Sequence, residues 1–207
     1  MCVPVCVSRA SELPGAIERA TRVADIVELR LDCLGENERE AIKPMLPALL
    51  DSAGTQVIVT LRSAEQGGHT ASDYATRRSF WSLLEKIPVG SLVDLELDLV
   101  SDFATEGPDT CLPIDWNQVI CSHHDFGRVP LDLEQIYERM AAAPARILKI
   151  AIQAHDATDC LPGFRLLERA HREGREIIAI AMGTSGIMTR ILGPSRGSFL
   201  TDRKSVV

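Results

Sequence analysis

Eight short runs of β-forming residues recur along this chain of 207 residues, and their spacing limits the possible folds more than any other feature. The runs are VPVCV, DIVELRLD, QVIVTLR, SLVDLELD, QVICSHHD, RILKIAIQ, EIIAIAMG and GSFLT. Successive runs begin about 20–35 residues apart, the length of one strand with a crossover helix. Apolar residues at helical spacing fill the intervals, as at Leu13, Ile17 and Ala20. The pattern predicts a single (β/α)8 TIM barrel domain over residues 1–207.

Most of the predicted strands have one apolar face and one face that carries ionisable or polar groups. On the second run, Glu28 and Arg30 share one face, whereas Val27 and Leu29 share the other. The same alternation assigns these further residues to polar faces: Asp32, Thr60, Arg62, Asp94, Glu96, Ser122, His124 and Lys149. Helices cover the outside of a parallel barrel, so the polar faces should converge on its axis and meet at the C-terminal ends of the strands, where barrel active sites lie.

Lys149 lies in the run RILKIAIQ, which has the composition of a buried strand. A buried ammonium is costly unless it is paired or loses its proton. Lys149 is therefore either a structural lysine in an ion pair or an amine that attacks a carbonyl. The ionisable groups on neighbouring strands favour the second interpretation, in which burial and nearby arginines lower the pKa of Lys149. His124 is suited to move a proton near neutral pH, and Arg62 and Arg190 are suited to hold a substrate carboxylate.

Composition and charge exclude several other classes of function. The net charge of −7 and the pI near 5.3 argue against a nucleic-acid partner, and no window has the length and hydropathy of a membrane span. We expect a cytoplasmic protein. The six cysteines form no CxxC pair, and we expect reduced thiols rather than a zinc site or a disulfide. His123 and His124 point to opposite faces of one strand and cannot share a metal ion.

Six ordered motifs carry a resemblance to a known family. They are ELRLD (28–32), TLRSAEQGG (60–68), DLEL (94–97), SHHDF (122–126), LKIAI (148–152) and AMGTSGIMTR (181–190). In order and spacing, the chain resembles the type I 3-dehydroquinate dehydratases, the Schiff-base lyases of the shikimate pathway. The resemblance extends from the first strand to about Thr201.

The resemblance implies a homodimeric barrel that removes water from 3-dehydroquinate to give 3-dehydroshikimate, with neither a metal nor an organic cofactor. It implies that Lys149 forms the imine and that His124 is the general acid and base. The substrate-binding positions that it implies are Glu28, Arg30, Arg62, Met182 and Arg190, the last on the substrate carboxylate.

Two features depart from the family pattern. The family has a glutamate before the paired glycines, in contact with the catalytic histidine, where this chain has Gln66 and places Glu65 one residue earlier. We expect a lower pKa for His124 than in a relative with that glutamate, unless Glu65 turns inward. The family also continues into a closing loop and an eighth helix, whereas this sequence ends at Val207. We expect these two elements to be missing, which would leave a wetter site with weaker substrate binding and reduced activity.

Two alternative functions remain open from the sequence. A different class I Schiff-base aldolase would use the same lysine with a phosphate site, for which the GTSG turn at 183–186 is either a candidate or a plain tight turn. A catalytically silent barrel would act as a binding or assembly module, which Gln66 and the short C-terminus favour. The reactivity of Lys149 discriminates between these interpretations.

Overall fold

A computed structural model describes residues 1–69, 72–84, 87–106 and 115–202 of the chain. Its core is one parallel sheet in which the strands lie in sequence order, so that consecutive strands pair with each other. The strands are β1 (Cys2–Val5), β2 (Ile26–Arg30), β3 (Gln56–Thr60), β4 (Leu92–Glu96), β5 (Val119–Asp125), β6 (Ile147–Gln153) and β7 (Glu176–Met182). This order is that of a (β/α) barrel, because each crossover returns the chain to the adjacent position in the sheet.

The eighth run, GSFLT, is not a full strand but lies where the eighth strand of a barrel would be. Ser198 forms a parallel bridge with Ile177 of β7, and Asp202 forms one with Cys2 of β1. The run begins at Gly197, directly after a 3-10 turn, and the φ of this glycine is left-handed at 88°, so little of the run extends alongside its neighbours. The predicted barrel architecture is confirmed, and the described residues form seven strands and two isolated bridges where eight strands were expected. The predicted lack of a closing loop and eighth helix concerns positions from 203 onward, outside the described residues.

Helices follow the strands and cover the outer face of the sheet. They are α1 (Leu13–Thr21), α2 (Glu36–Ile42), α3 (Leu46–Asp51), α4 (Tyr74–Ser82), α5 (Leu97–Thr105), α6 (Leu133–Ala141), α7 (Cys160–Glu173) and α8 (Ile187–Leu192). α7 ends at Gly174, whose φ of 66° suits a glycine that terminates a helix. None of the helices in the described ranges is both long and apolar enough to cross a bilayer.

Two apolar clusters confirm the predicted alternation of strand faces. The larger cluster lies between the sheet and the helices and includes Leu29 of β2 and Trp81 of α4. The smaller cluster fills the interior and includes Leu92 and Ile147, the first residues of β4 and β6. The N-terminal end of the barrel is therefore closed by apolar side chains, and the polar groups lie above them toward the C-terminal ends of the strands.

The expectation that all cysteines are reduced thiols is wrong for two of them. Cys6 and Cys33 form a disulfide with their Cα atoms 5.5 Å apart, although 27 residues separate them in sequence. Each cysteine follows one of the paired strands β1 and β2, which brings the two together in a way that no local spacing reveals. Cys2, Cys121 and Cys160 are buried free thiols, and Cys111 lies outside the described residues.

Candidate active site

A cavity of about 140 Å³ opens at the C-terminal ends of the strands. It is lined by Glu28, Arg30, Arg62, Gln66, Gly67, His124, Phe126, Lys149, Ala151, Ile180, Met182, Arg190 and Asp202. Every site residue that the sequence predicts is present in this set except Glu65. The inward faces of β2, β5, β6 and β7 supply most of the lining, because alternate residues of a strand point to the same side of the sheet.

Lys149 lies at the centre of a set of charges contributed by three strands. Its Nζ is 2.8 Å from Asp94 Oδ2 and 3.7 Å from Glu28 Oε1, and only 13% of its side chain is exposed. Burial by itself lowers the pKa of Lys149, but the carboxylates of Asp94 and Glu28 outweigh both burial and the repulsion from Arg62 and raise it. The expectation of a lowered pKa is therefore wrong, because it included the neighbouring arginines and omitted the carboxylates that face the amine.

Asp94 connects Lys149 to the buried arginine of the site. The Asp94 carboxylate is fully buried and pairs with Arg62 Nη2 at 2.6 Å, while Ser122 Oγ donates to its other oxygen at 2.5 Å. Burial opposes ionisation of Asp94, but Arg62 and Lys149 outweigh this effect and hold its pKa well below the usual range. Arg62 also lies 3.6 Å from Glu96. One buried carboxylate thus orients two cations at the base of the cavity.

His124 has the geometry and charge state of a base. Its backbone N–H donates to Gln66 Oε1 at 2.9 Å, and its Nδ1 lies 3.3 Å from the same oxygen. Because that oxygen only accepts, Nδ1 carries the proton of the neutral ring and leaves Nε2 with a free lone pair. Burial, followed by repulsion from Arg62 and Lys149, holds the pKa of His124 well below its ordinary value of 6.5. The imidazole is therefore neutral at neutral pH and able to accept a proton at Nε2.

The turn after β3 decides which side chain contacts His124. Glu65 is exposed, whereas Gln66, its neighbour in the 3-10 helix Ala64–Gln66, lines the cavity. Gly67 follows with a φ of 84°, and a Cβ at this position would lie 2.2 Å from Cζ of Phe126. The turn therefore needs a glycine for both its backbone conformation and its close approach to the Phe126 ring.

Two further arginines line the cavity, and each pairs with a carboxylate. Arg30 donates to both oxygens of the buried Asp32, at 2.9 and 2.8 Å. Arg190 donates to Asp202 Oδ1 at 2.8 Å and to the Ala181 carbonyl at 2.8 Å. Asp202 is a cavity residue that sequence reasoning missed, because it follows the last run and belongs to none of the motifs. The two arginines place guanidinium donors on the cavity wall, where they suit an anionic ligand.

Comparisons with known proteins identify the family to which the chain is similar. The model of the family described as type I 3-dehydroquinase matches residues 1–204. The 3-dehydroquinate dehydratase of Methanosarcina barkeri is 32% identical over 181 residues, which cover 86% of this chain and 74% of that protein. The 3-dehydroquinate dehydratase of Desulfotalea psychrophila is 29% identical over 203 residues, covering 95% of this chain and 85% of its relative.

A solved structure supports the fold. The crystal structure of 3-dehydroquinate dehydratase from Geobacillus kaustophilus matches 98% of this chain and 81% of that one, with a TM-score of 0.80. At 23% identity this likeness concerns the fold alone. The match of the family model to nearly the whole chain confirms the resemblance that the six motifs predict, and the chain belongs to the type I 3-dehydroquinase family.

Proposed function

We propose that this chain dehydrates 3-dehydroquinate to 3-dehydroshikimate, a step of the shikimate pathway, through an imine on Lys149. The observation that carries the proposal is that Lys149, a neutral His124 and three arginines line one cavity, in a chain that belongs to the type I family. The relatives that the chain matches are named for this same activity. We further propose that residues 1–207 act as a single catalytic unit and that the site uses neither a metal nor an organic cofactor.

Lys149 supplies the nitrogen that attacks the substrate ketone. The ammonium gives one proton to the neutral His124, and the amine adds to the carbonyl carbon. The carbonyl oxygen then leaves as water with a second proton from the nitrogen and the proton that His124 returns. The iminium has the same positive charge as the ammonium that it replaces. Asp94 and Glu28, which raise the pKa of the free lysine, therefore also stabilise the iminium without any rearrangement of the site.

His124 moves the proton. Its Nε2 takes a proton from the carbon next to the iminium carbon, and the electron pair of the broken C–H bond forms an enamine. The enamine then expels the hydroxyl group from the following carbon, and the protonated His124 returns its proton so that water leaves. Hydrolysis of the iminium frees the product and Lys149. A positioned acid and base of this kind contributes roughly 10²–10⁴-fold to the rate.

Arg190 is the best-placed partner for the substrate carboxylate. Arg62 is almost fully buried and already contacts Asp94 and Glu96, which leaves it little capacity for a ligand. Arg190 is partly exposed in the cavity and pairs with Asp202, which is itself partly exposed. A substrate carboxylate would replace Asp202 on the guanidinium at a small cost, because partly exposed ion pairs are weak. Arg30 and Met182 complete the binding surface.

Reduction of the imine with borohydride tests the proposal. The protein is incubated with 3-dehydroquinate, treated with borohydride and analysed by intact mass and peptide mapping. We expect one adduct per chain, located on Lys149, and none in Lys149→Ala. A folded wild-type protein that forms no adduct and no 3-dehydroshikimate would contradict the proposal and favour the silent module. An adduct with a phosphorylated sugar but not with 3-dehydroquinate would favour an aldolase.

We also propose that the protein is a homodimer in the cytoplasm, as the family resemblance implies. The exposed face of α8 supports self-association, because Ile187, Met188 and Ile191 are 55%, 43% and 67% exposed there. Light scattering coupled to size exclusion should give twice the chain mass, and Ile191→Glu should shift the population toward monomer. Cell fractionation tests the location. A monomer at all concentrations would contradict the dimer.

A further inference from the structure

We propose that Cys6 and Cys33 form a thiol–disulfide exchange site for small thiols, located beside the proposed active site and coupled to Arg30. The bonded pair lies where the chain leaves β1 and β2, at the same end of the barrel as the cavity. His69, after β3, is the third member of the group, with its Nδ1 3.5 Å from Cys33 Sγ. Three neighbouring strand ends thus bring two sulfur atoms and one imidazole together.

The two sulfurs differ in their surroundings, which assigns their roles in the exchange. Cys6 lines a surface depression of about 580 Å³ together with Ser8, Ser11 and Arg19, and this space admits a small thiol. Cys33 does not line that depression and has the imidazole of His69 beside its sulfur instead. Cys6 is therefore the sulfur that an incoming thiolate attacks, and Cys33 is the leaving group next to a nitrogen that can donate to it.

The exchange balances with two equivalents of a small thiol such as glutathione. The first thiolate attacks Cys6 Sγ and forms a mixed disulfide there, while the electron pair of the broken bond leaves on Cys33 as a thiolate. The second thiolate attacks the glutathione sulfur of the mixed disulfide and releases the Cys6 thiolate and glutathione disulfide. Both protein thiolates then take up protons. The protein disulfide gains two electrons, and the two small thiols lose them.

A short chain of contacts connects this site to the cavity. His69 Nδ1 lies 3.2 Å from Asp32 Oδ2 as well as near Cys33, so the carboxylate and the sulfur share one N–H donor. Asp32, adjacent to Cys33 in the 3-10 turn Leu31–Cys33, is the residue that holds the guanidinium of Arg30. Reduction frees the Cys33 sulfur from Cys6, so its contact with His69 changes, and opening the disulfide releases the turn that carries Asp32. Both changes loosen the support of Arg30.

The first test measures the site without any reference to catalysis. Folded protein is equilibrated with reduced and oxidised glutathione at increasing ratios, quenched with acid and alkylated after denaturation. Peptide fragmentation separates Cys6 from Cys2, which lie close together in sequence. We expect Cys6 and Cys33 to become reduced together, with a ratio of reduced to oxidised protein that depends on the square of the reduced glutathione concentration. Any mixed disulfide should be on Cys6. The buried Cys121 and Cys160 should stay reduced at every ratio.

Three outcomes would overturn the exchange site. The first is that Cys6 and Cys33 remain thiols in oxidised glutathione or titrate independently. The second is that the mixed disulfide forms on Cys33. The third is stoichiometric Zn²⁺ binding by the reduced protein that protects both thiols and is lost in His69→Ala, because the same three residues lie within metal-binding reach of one another. That result would assign a metal site instead.

The second test measures the coupling and rests on the proposed function. The KM for 3-dehydroquinate should rise about twofold to tenfold on reduction, because the substrate must then immobilise the loosened Arg30 side chain when it binds. The kcat should change little. Cys6→Ser should have the raised KM in both redox states. An equal KM in both states of the wild type would overturn the coupling. If the protein has no dehydratase activity at all, the glutathione titration still decides the exchange site by itself.

Discussion

One oxygen atom, Gln66 Oε1, contacts two nitrogens of His124, the backbone N at 2.9 Å and Nδ1 at 3.3 Å. The two contacts fix the side-chain oxygen toward the histidine and the ring proton on Nδ1. A glutamate in the same place would provide the same acceptor and add a negative charge. The neutral side chain therefore orients the imidazole without stabilising its protonated form.

Gln66→Glu should raise the pKa of His124, because a carboxylate favours the imidazolium. The reaction needs the neutral base, so activity is lost as the pH falls through this pKa. In the wild type that loss should occur well below pH 6.5, the ordinary value, and in Gln66→Glu it should occur at a higher pH. The pH dependence of kcat/KM and an NMR titration of His124 measure the shift. Glu65→Gln, which changes an exposed side chain, is the matched control and should leave the pKa unmoved.

Asp94→Asn should destabilise the protein by about 3 kcal/mol, because removing one partner of a buried ion pair leaves the other uncompensated. Arg62 and Lys149 both lose their closest carboxylate in this variant. Urea unfolding at pH 7 measures the loss. Asp98→Asn is the control, since its carboxylate pairs with Arg77 at 2.7 Å but is 42% exposed, and it should cost less than about 1 kcal/mol. Equal losses in the two variants would contradict the prediction.

The lowered pKa of Asp94 also predicts how the free energy of unfolding depends on pH. The pKa of Asp94 is lower in the folded state than its unfolded value of about 3.9, so its contribution is complete above that value and is lost as the pH falls below it. Unfolding free energies between pH 7 and pH 3 should therefore decrease less steeply for Asp94→Asn than for the wild type. If the unfolding free energies of the wild type and of Asp94→Asn decreased in parallel, the acid sensitivity would arise from groups other than Asp94.

Asp202→Asn should lower the KM for substrate by roughly twofold to fivefold, the factor expected for removing a partly exposed competing carboxylate. The Arg190 guanidinium, now held by Asp202 at 2.8 Å, would be available to the substrate carboxylate. Steady-state kinetics measure the effect, and kcat should change little because the exchange of partners precedes the chemistry. Arg190→Ala should raise KM instead. An unchanged KM in Asp202→Asn would mean that the carboxylate binds elsewhere in the cavity.

Gly67→Ala should impair both stability and turnover. The added Cβ would lie 2.2 Å from the Phe126 ring at a φ of 84°, so either the turn that carries Gln66 or the half-exposed ring must move. Gly174→Ala is the matched control, because its φ of 66° is also left-handed but a Cβ there meets no atom within 4 Å. We expect the control to lose about 1–2 kcal/mol of stability from the backbone alone, with normal kcat. Equal kcat values in both variants would contradict the role of the turn.

Most of the cavity lining could be predicted from the sequence because strand parity is a local property. Alternate residues of a strand point to the same side, so the sequence groups Glu28 with Arg30 and separates His124 from His123 without any knowledge of the tertiary structure. The βα repeat then brings the inward faces together at one end of a barrel. The family motifs added the substrate-binding roles of Met182 and Arg190.

Only the tertiary structure decided which charges face one another. The pKa of Lys149 is raised rather than lowered because the carboxylate of Asp94, 55 residues away in sequence, lies 2.8 Å from its Nζ. The choice of Gln66 over Glu65 and the Cys6–Cys33 bond depend in the same way on where separate loops meet. Sequence patterns report the direction of a side chain along its own strand, whereas electrostatics and covalent pairing depend on distances between segments that the fold brings together.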